Sequence, residues 1–174
     1  MNISETLQQF EKTTNHYIQE LDRFSLEQLR RKPGEDEWSL GQMYMHLIGS
    51  ALKMQLANVE KCLAQGVDAT ASEGEMTDAG RAVFGAGSFP PVRIQAPQPA
   101  PPQPESKEQI VQGLHQVASR MNSIGELLEG DPPSGTAAHP RFGALNAREW
   151  FGIVEMHYRH HLHQKERLEQ FFKR

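Results

Sequence analysis

Apolar residues recur at helical spacing over four long stretches, residues 3–23, 40–65, 107–128 and 147–173, and that period predicts four long α-helices. Each stretch opens on a start signal, a small polar residue followed three positions later by Glu or Gln. Asn2-Ile3-Ser4-Glu5 opens the first and Ser39-Leu40-Gly41-Gln42 the second, with Trp38 just ahead of it. Ser106-Lys107-Glu108-Gln109 opens the third and Asn146-Ala147-Arg148-Glu149 the fourth. A fifth box, Ser25-Leu26-Glu27-Gln28, opens a short helix that Pro33-Gly34 stops. One box alone is a weak signal, whereas five ahead of helix-like patterns are a strong one. No segment reads as a strand; the nearest candidate, Pro91-Val92-Arg93-Ile94, is demoted by its proline. The expectation is an all-α fold, a four-helix bundle spanning residues 1–174 as one domain.

The connection between the second and third helices, about residues 66–105, is far longer than the two to eight residues usual in bundles. Its second half, FPPVRIQAPQPAPPQPE, favours extended polyproline II. At about 3.1 Å per residue, roughly 15 such residues reach about 46 Å, and a helix over 40–65 is about 39 Å long. The Pro-rich crossover can therefore return the chain to the end where the second helix began, giving an up-down-down-up order. The alternative is a disordered loop. The first half, VDATASEGEMTDAGR, is small, polar and acidic and reads as mobile. A proline-reading partner for the second half is a lesser alternative, because a crossover already explains the composition.

The fourth helix carries the candidate chemistry. With His157 at zero and about 100° per residue, Trp150 and Leu168 fall at about 20°, His161 at about 40°, Val154 at about 60° and Ile153 at about −40°. Both histidines therefore lie within the apolar stripe. His160, at about −60°, is a boundary or supporting residue, and His163, at about −120°, is solvated. On the second helix, His46 sits at the edge of a side shared by Met43, Leu47, Ser50 and Met54. A second apolar side of Met45, Ile48, Leu52 and Leu56 leaves this helix able to pack on the bundle and on a second subunit. Two imidazoles at i and i+4 plus a third from another helix form the ligand set of a zinc or nickel site with an open position. The alternative is that each is a core histidine satisfied by buried polar groups. His16, His115 and His139 show no partner pattern and read as surface or boundary residues. Glu149 and Glu155 are near in sequence, but Glu155 points off the stripe, so no general base or other catalytic residue is nominated.

Composition narrows the classes. The net charge of −4 gives no electrostatic case for nucleic acid or an anionic membrane. The basic run Arg30-Arg31-Lys32 reads as a favourable helix C-terminus. The single cysteine, Cys62, excludes an intrachain disulfide and reads as core. With no signal-peptide pattern in MNISETLQQF and no apolar run of about 20 residues, the expectation is a cytoplasmic protein without a membrane segment.

Trp38-Ser39-Leu40-Gly41, the His46-Leu47 pair, and His157 with His161 followed by Gln164, together with helix order and length, resemble the DinB-like (damage-inducible, YfiT-related) family of proposed metalloenzymes. The resemblance covers essentially the whole chain. It implies an up-down-down-up four-helix bundle, a divalent metal held by His46, His157 and His161, and frequent homodimers. It also implies transferases and isomerases that use low-molecular-weight thiols such as bacillithiol or mycothiol, beside many members without known activity. DNA binding is not implied. The chain departs from the pattern at His163, where many relatives carry a small residue, and in its proline-rich crossover; both bear on the substrate more than on the metal. The functional expectation is a metal-dependent enzyme acting on a small molecule, a thiol-dependent S-transferase or a hydrolase. Two alternatives remain, a non-catalytic metal-binding or interaction bundle and a metal-free helical scaffold.

Overall fold

The computed structural model describes residues 2–65, 74–91 and 99–173. The chain is predominantly α-helical, with one small antiparallel hairpin. Helix α1 (Ile3–Glu20) passes through a 3-10 turn (Leu21–Arg23) to the short α2 (Leu26–Arg30). Helix α3 (Leu40–Ser50) continues through a π-turn (Ala51–Gln55) into α4 (Leu56–Gln65). Then follow α5 (Asp78–Ala86), α6 (Lys107–Glu129), strands β1 (Thr136–His139) and β2 (Gly143–Asn146), α7 (Ala147–His160) and α8 (Leu162–Phe172).

All five start signals act as caps. The side chains of Asn2, Ser25, Ser39, Ser106 and Asn146 accept from the backbone N–H of Glu5, Gln28, Gln42, Gln109 and Glu149 respectively. Three of these, at Ser25, Ser39 and Asn146, are reciprocal boxes. Each satisfies a backbone donor that the helix cannot satisfy itself.

Side-chain contacts fix the helix directions. A Cβ on Gly125 would touch Leu7, and one on Gly113 would touch Ile48. Arg120 donates to Leu52 O and pairs with Glu60, and Gln42 and Ser39 bond to Pro101 and Gln103 just ahead of α6. Helices α3–α4 and α6 thus start at the same end and run parallel. Tyr17 donates to Tyr158 O and Lys165 pairs with Glu20, so α1 runs alongside α7–α8 in the same sense. The tail of the crossover is seated as the Pro-rich reach predicts: Gln103 also donates to Arg30 O, and Pro104 is buried over Gly41.

Three expectations need correction. The chain does contain strands: β1 and β2 pair from Thr136↔Asn146 to His139↔Gly143. Their four-residue length and small side chains gave no readable alternation. The first half of the crossover is structured over 74–91. Thr77 donates its N–H to Phe142 O and its hydroxyl to Arg141 O, Met76 bridges to Gly143, and Thr77 caps α5 through Gly80 N–H. Gly143 has φ 76° and lies against Glu75 and Thr77, so neither its backbone nor its neighbours leave room for a Cβ. Helix four is not continuous but breaks at His161, between α7 and α8. Residues 66–73 of the crossover and Val92, Arg93 and Ile94 of the demoted strand candidate lie outside the described residues.

The core is continuous from Phe10 and Tyr17 through Met43, Leu47 and Leu56 to Trp150, Phe151 and Val154. Cys62 is buried in it, and its thiol donates to Leu145 O. Three buried tyrosines cross-link it. Tyr44 donates to Tyr17 O at 2.8 Å, Tyr17 to Tyr158 O at 2.6 Å and Tyr158 to Leu47 O at 3.3 Å. The last bond joins the residue after His157 to the residue after His46, and so fixes the relative height of α7 and α3.

Candidate metal centre

The structure brings His46, His157 and His161 together. Their Nε2 atoms face one another: His46 Nε2 and His161 Nε2 each lie 3.0 Å from His157 Nε2, and one ligand atom from each ring lies within 4.8 Å of the others. Four-coordinate zinc with Zn–N near 2.0–2.1 Å separates its ligand nitrogens by about 3.3 Å. The rings meet edge to face, with interplanar angles of 78°, 66° and 87°, so their lone pairs can converge from different directions.

The cluster is ill-suited to hydrogen bonding alone. A neutral ring nitrogen either donates once or accepts once in its own plane, so His157 Nε2 can satisfy only one of its two neighbours. A cation takes a lone pair from each ring and removes the conflict. The far side of every ring is held. His46 Nδ1 lies 3.3 Å from Ser50 Oγ, His157 Nδ1 lies 3.3 Å from the Gln55 amide, and His161 Nδ1–H donates to Gln164 Oε1 at 2.7 Å. Partners on Nδ1 fix ring orientation and leave Nε2 for a metal. Gln55 turns its nitrogen toward His157 and leaves its own oxygen buried without a partner. Only one end of this amide is satisfied either way; turned by 180°, it accepts from His157 Nδ1–H.

The electrostatics favour the neutral, ligating form. Burial lowers His46 to about 4 and, together with the charge of His46, His161 to about 3. Burial followed by the charges of His161 and His46 holds His157 well below the usual histidine value. All three rings are half-buried, and Trp38 packs on His46 with ring centroids 4.9 Å apart.

The sequence profile of the DinB superfamily matches residues 9–164. The chain belongs to the DinB superfamily. No curated protein sequence matches it. In this DinB-superfamily chain the matched span holds all three histidines and Ser50, Gln55 and Gln164.

The other histidines divide. His160 is half-buried, its ring 5.6 Å from Phe89 and 5.5 Å from His161, a boundary position as expected, and His163 is exposed. His139, expected to be an ordinary surface or boundary residue, organises the hairpin. Its Nδ1 accepts the N–H groups of Arg141 and Phe142 at 3.0 and 3.1 Å, and its ring stacks on Phe142. Glu155 is buried and pairs with Arg159, which donates to Gly87 O. It serves to hold the crossover on α7.

Sequence reasoning missed Ser50 and Gln55 as supports. Ser50 is four residues beyond His46 on the same helical face, a readable spacing. Gln55 was not readable. Nine α-helical residues from His46 place it about 180° away, whereas the π-turn at Ala51–Gln55 adds about one residue and swings it back by about 100°. Among the described residues no helix is long and apolar enough to cross a membrane.

Proposed function

We propose that this DinB-superfamily protein is a metal-dependent enzyme acting on a small molecule, with His46, His157 and His161 as ligands of one divalent ion, zinc or nickel. The convergence of three Nε2 atoms, each ring braced on its other nitrogen, carries this reading. Three protein ligands leave one position of a four-coordinate ion for a substrate group, the pattern of catalytic rather than structural sites. Such an ion supplies a localised positive charge that lowers the pKa of a thiol or water presented to it. The chain's own contribution is to hold three neutral imidazoles in place through Ser50, Gln55 and Gln164 and to shield them with Trp38 and Phe89. Thiol transfer and hydrolysis both use that chemistry, and a low-molecular-weight thiol fits as co-substrate of the former.

The same reading includes a single four-helix bundle of up-down-down-up order, supported by the parallel start of α3 and α6. It also includes a homodimer, a cytoplasmic location and no nucleic-acid or membrane partner, the last in keeping with a net charge of −4. Elemental analysis of protein purified without chelators and then offered zinc or nickel should find about one metal per chain, and His157→Ala should lose it. Absence of metal under those conditions would defeat the proposal. A metal-loaded protein that turns over neither thiol–electrophile pairs nor esters would instead favour the non-catalytic metal-binding or interaction bundle.

A further inference from the structure

A pocket of about 220 Å³ opens beside His46. Trp38, Met45, His46, Gly49 and Ser50 line it together with Pro99, Pro101 and Pro102 of the crossover, and it is broadly open to solvent. Among the described residues no Asp, Glu, Lys or Arg lines it. Met45, on the second apolar side of this helix in the sequence pattern, lines the pocket. A Cβ built on Gly49 would meet nothing within 4 Å, so the space beside it is open and not a packing contact. The indole N–H of Trp38 is buried without a hydrogen-bond partner, although buried indoles normally have one.

We propose that this pocket is the apolar subsite of the metal centre, taking an uncharged flat group of about benzyl size from a small molecule whose polar head reaches the three histidines. The proposal rests on the metal reading above and adds the substrate class. Size comes first: an apolar cavity of about 150 Å³ accommodates benzene, so this one has room for a ring and a short link. Chemistry comes second. An indole face, a thioether and three proline rings offer dispersion and C–H contacts to a flat ring, and nothing here can compensate a carboxylate or an ammonium for lost water. Position comes third. His46 belongs both to the pocket lining and to the histidine cluster, and Ser50, which also lines the pocket, braces its Nδ1, so a ligand seated against Trp38 lies one imidazole ring from the cluster. Of two co-substrates in a group transfer, the pocket suits an apolar electrophile and not a polar sugar thiol.

The test uses protein labelled with 5-fluorotryptophan, which gives one fluorine resonance for each of the two tryptophans. Trp150 is fully buried and donates to Ala137 O, so it is an internal control. Benzyl mercaptan should shift the Trp38 resonance and spare Trp150 in both zinc-loaded and metal-free protein, at a concentration at least ten-fold lower with zinc. Ethanethiol, with the same head and no ring, should bind the zinc form at least ten-fold more weakly. Gly49→Val, which adds bulk to the pocket lining at a position where a Cβ meets no protein atom within 4 Å, should abolish the Trp38 response to benzyl mercaptan while zinc content stays at the wild-type level. A Gly49→Val protein that responds like wild type overturns the proposal, as does equal binding of the dianionic mercaptosuccinate. Zinc uptake with no Trp38 response overturns the pocket and leaves the metal centre standing. A Trp38 response with no zinc uptake overturns the metal centre and leaves the pocket.

Discussion

Gln164 reaches His161 Nδ1 at 2.7 Å, the shortest of the three bonds that brace the ligand rings. Loss of such a support typically weakens metal affinity by about 10–100-fold. Gln164→Leu should therefore weaken zinc binding by that order in a chelator-competition titration while the fold persists; wild-type affinity would remove Gln164 from the site. The ring pKa values give a second expectation. His46 and His161 titrate at about 4 and about 3 when folded, against 6.5 ordinarily. Between those values the unfolded chain binds more protons than the folded one, so stability rises with pH there. It follows that the metal-free protein keeps this contribution above pH 6.5 and loses it as pH falls toward 4. Urea midpoints should be flat from pH 8 to 7 and drop below 6.5, with a shallower drop for His161→Gln. Equal slopes for the two proteins would disprove the assignment.

At the scale of elements, the important joint is the seat of the crossover on α3. A Cβ on Gly41 would lie 2.6 Å from Pro104 Cγ and 2.7 Å from Leu29 O, so α2, α3 and the last prolines meet at one hydrogen atom's width. Gly41→Ala, neutral or favourable in an isolated helix, should here destabilise by about 1–3 kcal/mol through overpacking. Urea denaturation measures it, and a wild-type midpoint would show that the crossover is free to lift. The long helices were legible because caps and period agree along Asn2, Ser39, Ser106 and Asn146. The π-turn at Ala51–Gln55 and the break at His161 were not, since each is a local change of winding inside an unbroken apolar pattern. The hairpin and α5 were hidden for another reason. Thr136–His139 is too short to show alternation, and residues 74–91 are ordered by backbone bonds to Phe142 and Gly143, which composition does not report.

At the scale of the molecule, the proposed ligands come from segments more than 100 residues apart in the sequence, so a metal at His46, His157 and His161 would tie α3 to α7–α8 across the core. An ion that binds only the folded chain stabilises it by mass action, about 2.7 kcal/mol at a hundred-fold excess over Kd. For a chain of this size that is a rise in Tm of roughly 5–10 °C. Differential scanning calorimetry with zinc should show the rise in the wild type and none in His157→Ala; equal shifts in both would mean that zinc binds elsewhere. The tyrosine chain through Tyr17, Tyr44 and Tyr158 joins the same two histidine-bearing segments through the protein's own hydrogen bonds.

By itself the sequence determined the helical stretches, their start points and the inward turn of His157 and His161, because caps and a 3.6-residue period are local and each residue announces its face. The length and proline content of the crossover also determined that the chain could reach back to Ser39. Only the tertiary structure decided that His46 joins the other two, that Gln55 turns toward His157, and that Trp38 and three prolines line an open pocket beside them. Those facts depend on distances between residues far apart in the chain, set by core packing and the winding of one π-turn, and a one-dimensional pattern carries no measure of such distances.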